Sequence, residues 1–242
     1  MNKKYLITGA YLLILSLIPF SSGYADFGSF LKKVQETIGG SSGVSQNEIV
    51  DGLKQALEIG TGNTVQALSQ LNGYYGNPQL KIPLPQSVQK FEKILRSTGF
   101  ASELDAFDLS MNRAAEKAAP EAKTLFVDAI KEMTFSDADK ILKGGDNAAT
   151  AYFKNKTAGK LQTLFRPVIE ESIESVGVTR TYQSLSEKIQ SIPFAGDYAV
   201  DLDAYVTEKS IDGLFFRLAE EEAKIRNDPA ARVTDLLKKV FQ

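Results

Sequence analysis

The side chains able to do chemistry in this 242-residue chain are carboxylates, lysines, arginines, tyrosines, serines and threonines, because it contains no histidine and no cysteine. That absence removes Ser-His-Asp and Cys-His nucleophiles, zinc sites of ordinary composition, and haem held through His or Cys. What remains is a carboxylate pair acting as general acid and base, alone or around a divalent ion. Its members would come from Asp105, Glu116 and the run Glu220-Glu221-Glu222. Asp137 with Asp139, and Asp201 with Asp203, have the spacing that opens a calcium loop. Neither run has glycine at its sixth position, so these acids read as helix caps. Gly60-Thr61-Gly62 is not followed by the Gly-Lys-Ser/Thr of a phosphate loop, and no strand precedes it. No cofactor and no metal site is expected.

Binding chemistry is better represented than catalytic chemistry. In Asn112-Arg113-Ala114-Ala115-Glu116 the alanines turn to the buried side of a helix, so Asp105, Asn112 and Glu116 line one flank with Arg113 beside them. Two readings stay open: a solvated face carrying a surface ion pair, and a polar cluster facing a groove. Glu222 falls in the middle of the apolar arc of Ile211, Phe215, Leu218 and Ile225. A carboxylate there must reach an arginine or accept N–H bonds from a helix end. Arg113, Arg166 and Arg232 are its candidate partners. Arg113 is favoured, as a structural clasp, with a ligand-anion site at Arg113 as the alternative. The candidate binding residues are therefore Asn112, Arg113, Glu116, Glu222 and Arg226. Tyr74 and Tyr75 form either an exposed lip or a pair packed over a core edge.

Helices must position these groups. The segment from Asp201 to Arg226 is apolar on both sides, with Leu202, Tyr205, Val206 and Phe216 opposite the first arc, and reads as a buried helix. Asn227-Asp228-Pro229 ends it, and Val233, Leu236, Leu237 and Val240 predict a second helix completing a hairpin. Upstream, Ser45 and Glu48 form a capping box, and Gly60-Thr61-Gly62 is expected to interrupt the helix that follows. Apolar stripes predict helices from Gln86 to Gly99, through Leu104 to Ala118, and from Leu125 to Met133. A short helix capped by Ser136 comes next, then one starting at Asp146 or Asn147 that kinks or restarts at Arg166-Pro167, then one from Val178 to Ile189. Residues 72–85 hold the prolines and turn dipeptides and allow at most one small hairpin. No heptad and no repeat persists. The fold class is all-α, a compact, irregular multi-helix domain over residues 45–242.

Residues 1–25 read as a secretory signal peptide: Lys3 and Lys4, an apolar run from Tyr11 to Phe20, and small residues up to Ala25. Residues 26–44 read as an amphipathic helix, with Phe27, Phe30, Leu31, Val34 and Ile38 in phase, on a Gly/Ser tether. Cleavage near Ala25 would take the net charge from −2 to −4 and place the protein in the periplasm or outside the cell. An acidic balance makes nucleic acid a poor partner, and no transmembrane segment is expected in the mature chain.

Four stretches carry a resemblance. They are Asn112-Arg113-Ala114-Ala115-Glu116, Ala149-Thr150-Ala151-Tyr152-Phe153, Asp212-Gly213-Leu214-Phe215, and the ending from Ile225-Arg226 through Pro229-Ala230-Ala231-Arg232 to Thr234-Asp235-Leu236-Leu237. In that order they resemble the bacterial family called domain of unknown function 4197. The resemblance implies an exported or envelope-associated bacterial protein and transfers no catalytic residue. Some members carry lipoprotein-type signals, from which a chain without cysteine departs. The function expected is a non-catalytic helical module of the envelope that binds an apolar ligand, a lipid or a partner protein. The alternative is a carboxylate-dependent hydrolase, with or without a divalent metal.

Overall fold

The computed structural model describes residues 46–175, 178–191 and 200–228. The signal peptide, the helix and tether of residues 26–44, the Ser45 cap and the closing helix after Pro229 lie outside the described residues. The elements are α1 (Gln46–Leu68), α2 (Gln86–Gln89), α3 (Glu92–Ser97), α4 (Ala101–Ala118), a 3-10 turn (Ala119–Glu121), α5 (Ala122–Lys131), α6 (Phe135–Lys143), α7 (Ala148–Ser175), α8 (Val178–Gln190) and α9 (Leu202–Asn227). The domain is all-α, with no strand among the described residues. The stretch between Ser69 and Pro85 is a series of turns rather than a hairpin.

α7 is the hub, packed against α4, α5, α6, α8 and, most extensively, α9. Its sequence explains why. Ala149, Phe153, Thr157, Leu161, Phe165, Ile169 and Ile173 recur every fourth residue and all are buried. A four-residue step overshoots one helical turn by about 40°, so the buried line winds around α7 and touches several neighbours in succession. Phe126 of α5 stands edge-on to Phe153, at 5.1 Å between centroids, and to Phe215 of α9, at 6.3 Å. Ala114, Ala115 and Ala118 of α4, and Ala119 of the turn that follows it, are completely buried, and their small side chains let α4 approach α7 closely.

Several boundaries differ from expectation. α1 runs straight through Gly60-Thr61-Gly62. Thr61 and Thr64 donate their hydroxyls to the carbonyls of Leu57 and Gly60, and α1 packs on α9 and α5. That packing outweighs roughly 1 kcal/mol of lost helix propensity per glycine. α6 is capped by Thr134 rather than Ser136. Thr134 Oγ1 accepts from Asp137 N while Asp137 Oδ2 accepts from Thr134 N, at 3.2 and 3.1 Å, and the Thr134 hydroxyl, donating to Oδ2 at 2.7 Å, followed by the Thr134 N–H, pulls the Asp137 carboxyl below its ordinary range. α7 does not restart at Pro167, which is exposed, so the carbonyl it leaves without a helical donor can face water. Phe216, placed on a buried arc by helical phase, is 42% exposed. Asp201 caps α9 as expected, accepting from Ala204 N at 2.9 Å.

Candidate functional site

The turns between α1 and α2 contain Pro78, Pro83 and Pro85, which remove donors and prevent the segment from joining a ladder. Its backbone groups must find side-chain partners instead. α4 supplies them. Asn112 is completely buried and treats Ile82 as a neighbouring strand would, accepting from Ile82 N at 2.8 Å and donating to Ile82 O at 3.1 Å. Glu116, one turn on and also buried, accepts from Tyr74 N and Tyr75 N through Oε1, at 3.1 and 3.2 Å. Its other oxygen accepts from Arg113 Nη1, and Arg113 Nη2 donates to Asn72 Oδ1 at 2.8 Å. Lys81 pairs with Asp108 at 2.6 Å, which raises the lysine's pKa.

Asn72 sits at φ 69°, a left-handed turn that asparagine tolerates. At Gly73 a Cβ would lie 2.5 Å from the carbonyl oxygens of Ala67 and Leu68, so the turn off α1 admits only glycine. Tyr74 then plunges into the core. It is completely buried, donates its hydroxyl to Ser210 O of α9 at 2.7 Å, and is accommodated by Gly213, where a Cβ would stand 2.7 Å from its ring. Burial, followed by the nearby Glu116 charge, raises the Tyr74 pKa far above its ordinary value. Tyr74 is therefore no exposed lip. Tyr75 is half-buried, with Lys81 Nζ 4.7 Å from its ring centre.

A second buried carboxylate occupies the start of α7. Glu222 is 7% exposed, and Oε1 accepts from Ala149 N at 2.9 Å and from Arg226 Nε and Nη2 at 3.0 and 2.8 Å. Oε2 accepts from Thr150 N and Thr150 Oγ1, both at 2.8 Å. The helix N-terminus favours negative charge there. Both expected solutions, an arginine and a helix end, are thus present together. The arginine is Arg226, one turn along the same helix, and not Arg113. Arg113 cannot serve both, because it is taken up by Glu116 on α4 and by Asn72 in the turn after α1. Of the candidate residues, Asn112, Arg113 and Glu116 meet in one clasp and Glu222 and Arg226 in another. The solvated-face reading of Asn112 and Glu116 falls, since both are buried.

Beside the second clasp, Leu53, Ala56, Leu57, Ile141, Leu218 and Ile225 line a crevice of about 20 Å³, enough for about one water molecule. Asp105 pairs with Arg96 at 2.9 Å and lies eleven residues, about 16 Å, along α4 from Glu116. Glu221 is bound by Arg217 and Lys224, at 2.7 and 2.9 Å. No cluster of three or more potential metal-ligating side chains occurs among the described residues.

Every clasp residue falls in or against the four stretches that carried the resemblance, and residues 43–242 match the family described as protein of unknown function (DUF4197). The chain belongs to this family. Neither a curated protein nor a solved structure matches it. The family stretches Asn112–Glu116, Ala149–Phe153 and Asp212–Phe215 find their roles in the fold: one holds the proline-rich turns, one presents N–H groups to Glu222, and one makes room for Tyr74. Thr150 and Gly213 were not singled out as site residues by sequence reasoning. A glycine inside an otherwise strong helix, in one of the four family stretches, was the available signal for Gly213.

Proposed function

We propose that this DUF4197 member acts after export as a non-catalytic binding module of the bacterial envelope, engaging its ligand or partner through its outer surface. The observation that carries this reading is the use of its buried carboxylates. Three acids are buried among the described residues: Glu116 and Glu222 are filled by backbone N–H groups and arginines, and Glu221 is held by Arg217 and Lys224, so each has a structural role. The carboxylate-hydrolase alternative finds no converging pair in Asp105 and Glu116. An internal lipid site finds no support in the crevice beside Glu222, which is far smaller than an acyl chain. Among the described residues no helix is long and apolar enough to cross a membrane.

Native mass spectrometry of the protein from the periplasmic fraction tests both halves. The expected chain starts at Asp26 and carries an envelope protein or surface-bound lipid that is released on activation. An intact Met1 on cytoplasmic protein would overturn export. Stoichiometric retention of a divalent ion, lost in Asp105→Asn or Glu116→Gln, would overturn the non-catalytic reading.

A further inference from the structure

Past its middle α1 carries five weak helix formers in a row, Gly60-Thr61-Gly62-Asn63-Thr64. The usual reasons for glycine are absent there. At Gly73 and Gly213 an added Cβ would stand 2.5 and 2.7 Å from another atom, so packing demands glycine. On Gly60 it would stand 3.6 Å from Ile225 Cδ1, an ordinary contact, and on Gly62 it would meet nothing within 4 Å. Neither residue has a positive φ. Alanine fits at both, and what glycine contributes is a backbone that leaves the helix at low cost. The hydroxyls of Thr61 and Thr64 add to this, donating to the carbonyls of Leu57 and Gly60 at 2.7 and 2.8 Å, a back-bond that loosens and bends helices.

The two sides of this joint are held differently. On its C-terminal side Thr64, Val65 and Leu68 are buried, Asn63 Nδ2 donates to Glu221 Oε2 at 3.5 Å, and the chain runs on into the Tyr74 anchor. On its N-terminal side Asp51, Lys54, Gln55 and Glu58 make no side-chain hydrogen bond or ion pair with another described residue. Leu53, Ala56 and Leu57 are buried there, yet they form one wall of the crevice whose other wall is Ile141, Leu218 and Ile225. The gap between the walls forfeits dispersion contacts that a filled interface would make. We propose that residues 46–59 are a hinged flap, which opens about Gly60 and Gly62 while the rest of the domain stays folded and bares the apolar crevice beside Glu222 and Arg226. The flap is held by a small part of the core, so opening it costs only a fraction of global unfolding. This device does not depend on the binding function proposed above.

Because the chain has no cysteine, single cysteines report the opening through their rate of labelling by a thiol reagent too large for the crevice. Ala56→Cys lies on the flap and Thr64→Cys beyond the joint on the same helix, and both positions are buried. Without denaturant Ala56→Cys is expected to label at least about 100-fold faster, after each rate is corrected for the variant's stability in urea unfolding. Gly60→Ala combined with Gly62→Ala should slow both probes about 25-fold, since either opening unwinds that stretch. Gly159→Ala, which adds a methyl in open space on α7, should slow only Thr64→Cys, about 5-fold, because α7 stays folded when the flap opens. Equal corrected rates at the two probes overturn the proposal. So does labelling of Ala56→Cys that the paired alanines leave unmoved, or that Gly159→Ala slows as much as it slows Thr64→Cys.

Discussion

Replacing Glu222 by glutamine tests the central claim that a single carboxylate joins α9 to the start of α7. Five donors converge on its two oxygens: Ala149 N, Thr150 N, Thr150 Oγ1, and Nε and Nη2 of Arg226. An amide of nearly the same shape keeps one acceptor and turns the other into a donor facing donors. At least two charge-assisted bonds are lost, each contributing about 1.5–3 kcal/mol, and Arg226, with only 11% of its side chain exposed, loses its counter-charge. A water entering the adjacent crevice offsets part of this, leaving an expected loss of about 3 kcal/mol. Against a total domain stability of roughly 5–15 kcal/mol this is a large fraction. Urea unfolding followed by circular dichroism should show a lower midpoint with an unchanged slope. Arg226→Met is the control. It leaves Glu222 its two backbone donors and the Thr150 hydroxyl, so it should cost only about 1–2 kcal/mol. An Arg226→Met variant as destabilised as Glu222→Gln, or a Glu222→Gln variant within about 1 kcal/mol of wild type, would refute the reasoning.

The α4 clasp should show the same asymmetry. Glu116→Ala strands the buried N–H of Tyr74 and the half-buried N–H of Tyr75 and should cost about 2–4 kcal/mol, whereas Arg113→Ala, at a side chain 30% exposed, should cost about 1 kcal/mol by the same unfolding measurement. Gly213→Ala puts a methyl against the Tyr74 ring and should destabilise by about 1–3 kcal/mol, with much of the loss recovered when Tyr74 is shortened to Leu in the same chain. Alkaline pH probes Tyr74 together with Tyr152 and Tyr205, whose pKa values burial also raises, and a phenylalanine variant separates the share of Tyr74. Its folded pKa lies above its unfolded value of 10.0, so its contribution is intact below pH 10 and declines as pH rises, by up to about 1.4 kcal/mol per pH unit. Tyr74→Phe should flatten that slope between pH 10 and 11, and equal slopes in the two proteins would contradict the burial.

Fold class was legible because apolar periodicity reports directly on local geometry, and α4, α5, α8 and α9 lie where their stripes put them. The burial of Glu222, and the requirement that it find an arginine or a helix end, also followed from its phase on α9 alone. Propensity erred where packing outweighs it. Gly60 and Gly62 stay helical under α9 and α5, and Pro167 stays helical on an exposed face. Helical phase also could not see that the described residues leave Phe216 42% exposed.

Which remote groups each buried carboxylate joins was decided only by the tertiary structure. A helical wheel gives a direction in the plane across one helix and says nothing about what another helix, remote in sequence, presents there. By sequence Arg113 is favoured over Arg166 and Arg232 as the partner of Glu222, and Arg226, which the structure pairs with it, is not among those candidates. Arg226 and Arg113 stand one turn from Glu222 and Glu116 on the same helices, and the fold adds the remote groups: the N–H donors of Ala149 and Thr150 to Glu222, and those of Tyr74 and Tyr75 to Glu116. By itself the sequence determined that this is a helical chain without histidine or cysteine chemistry. That its most recognisable polar motif holds a loop in place, because prolines deprive that loop of backbone partners, was settled only when α1, α4 and α9 came together around Tyr74.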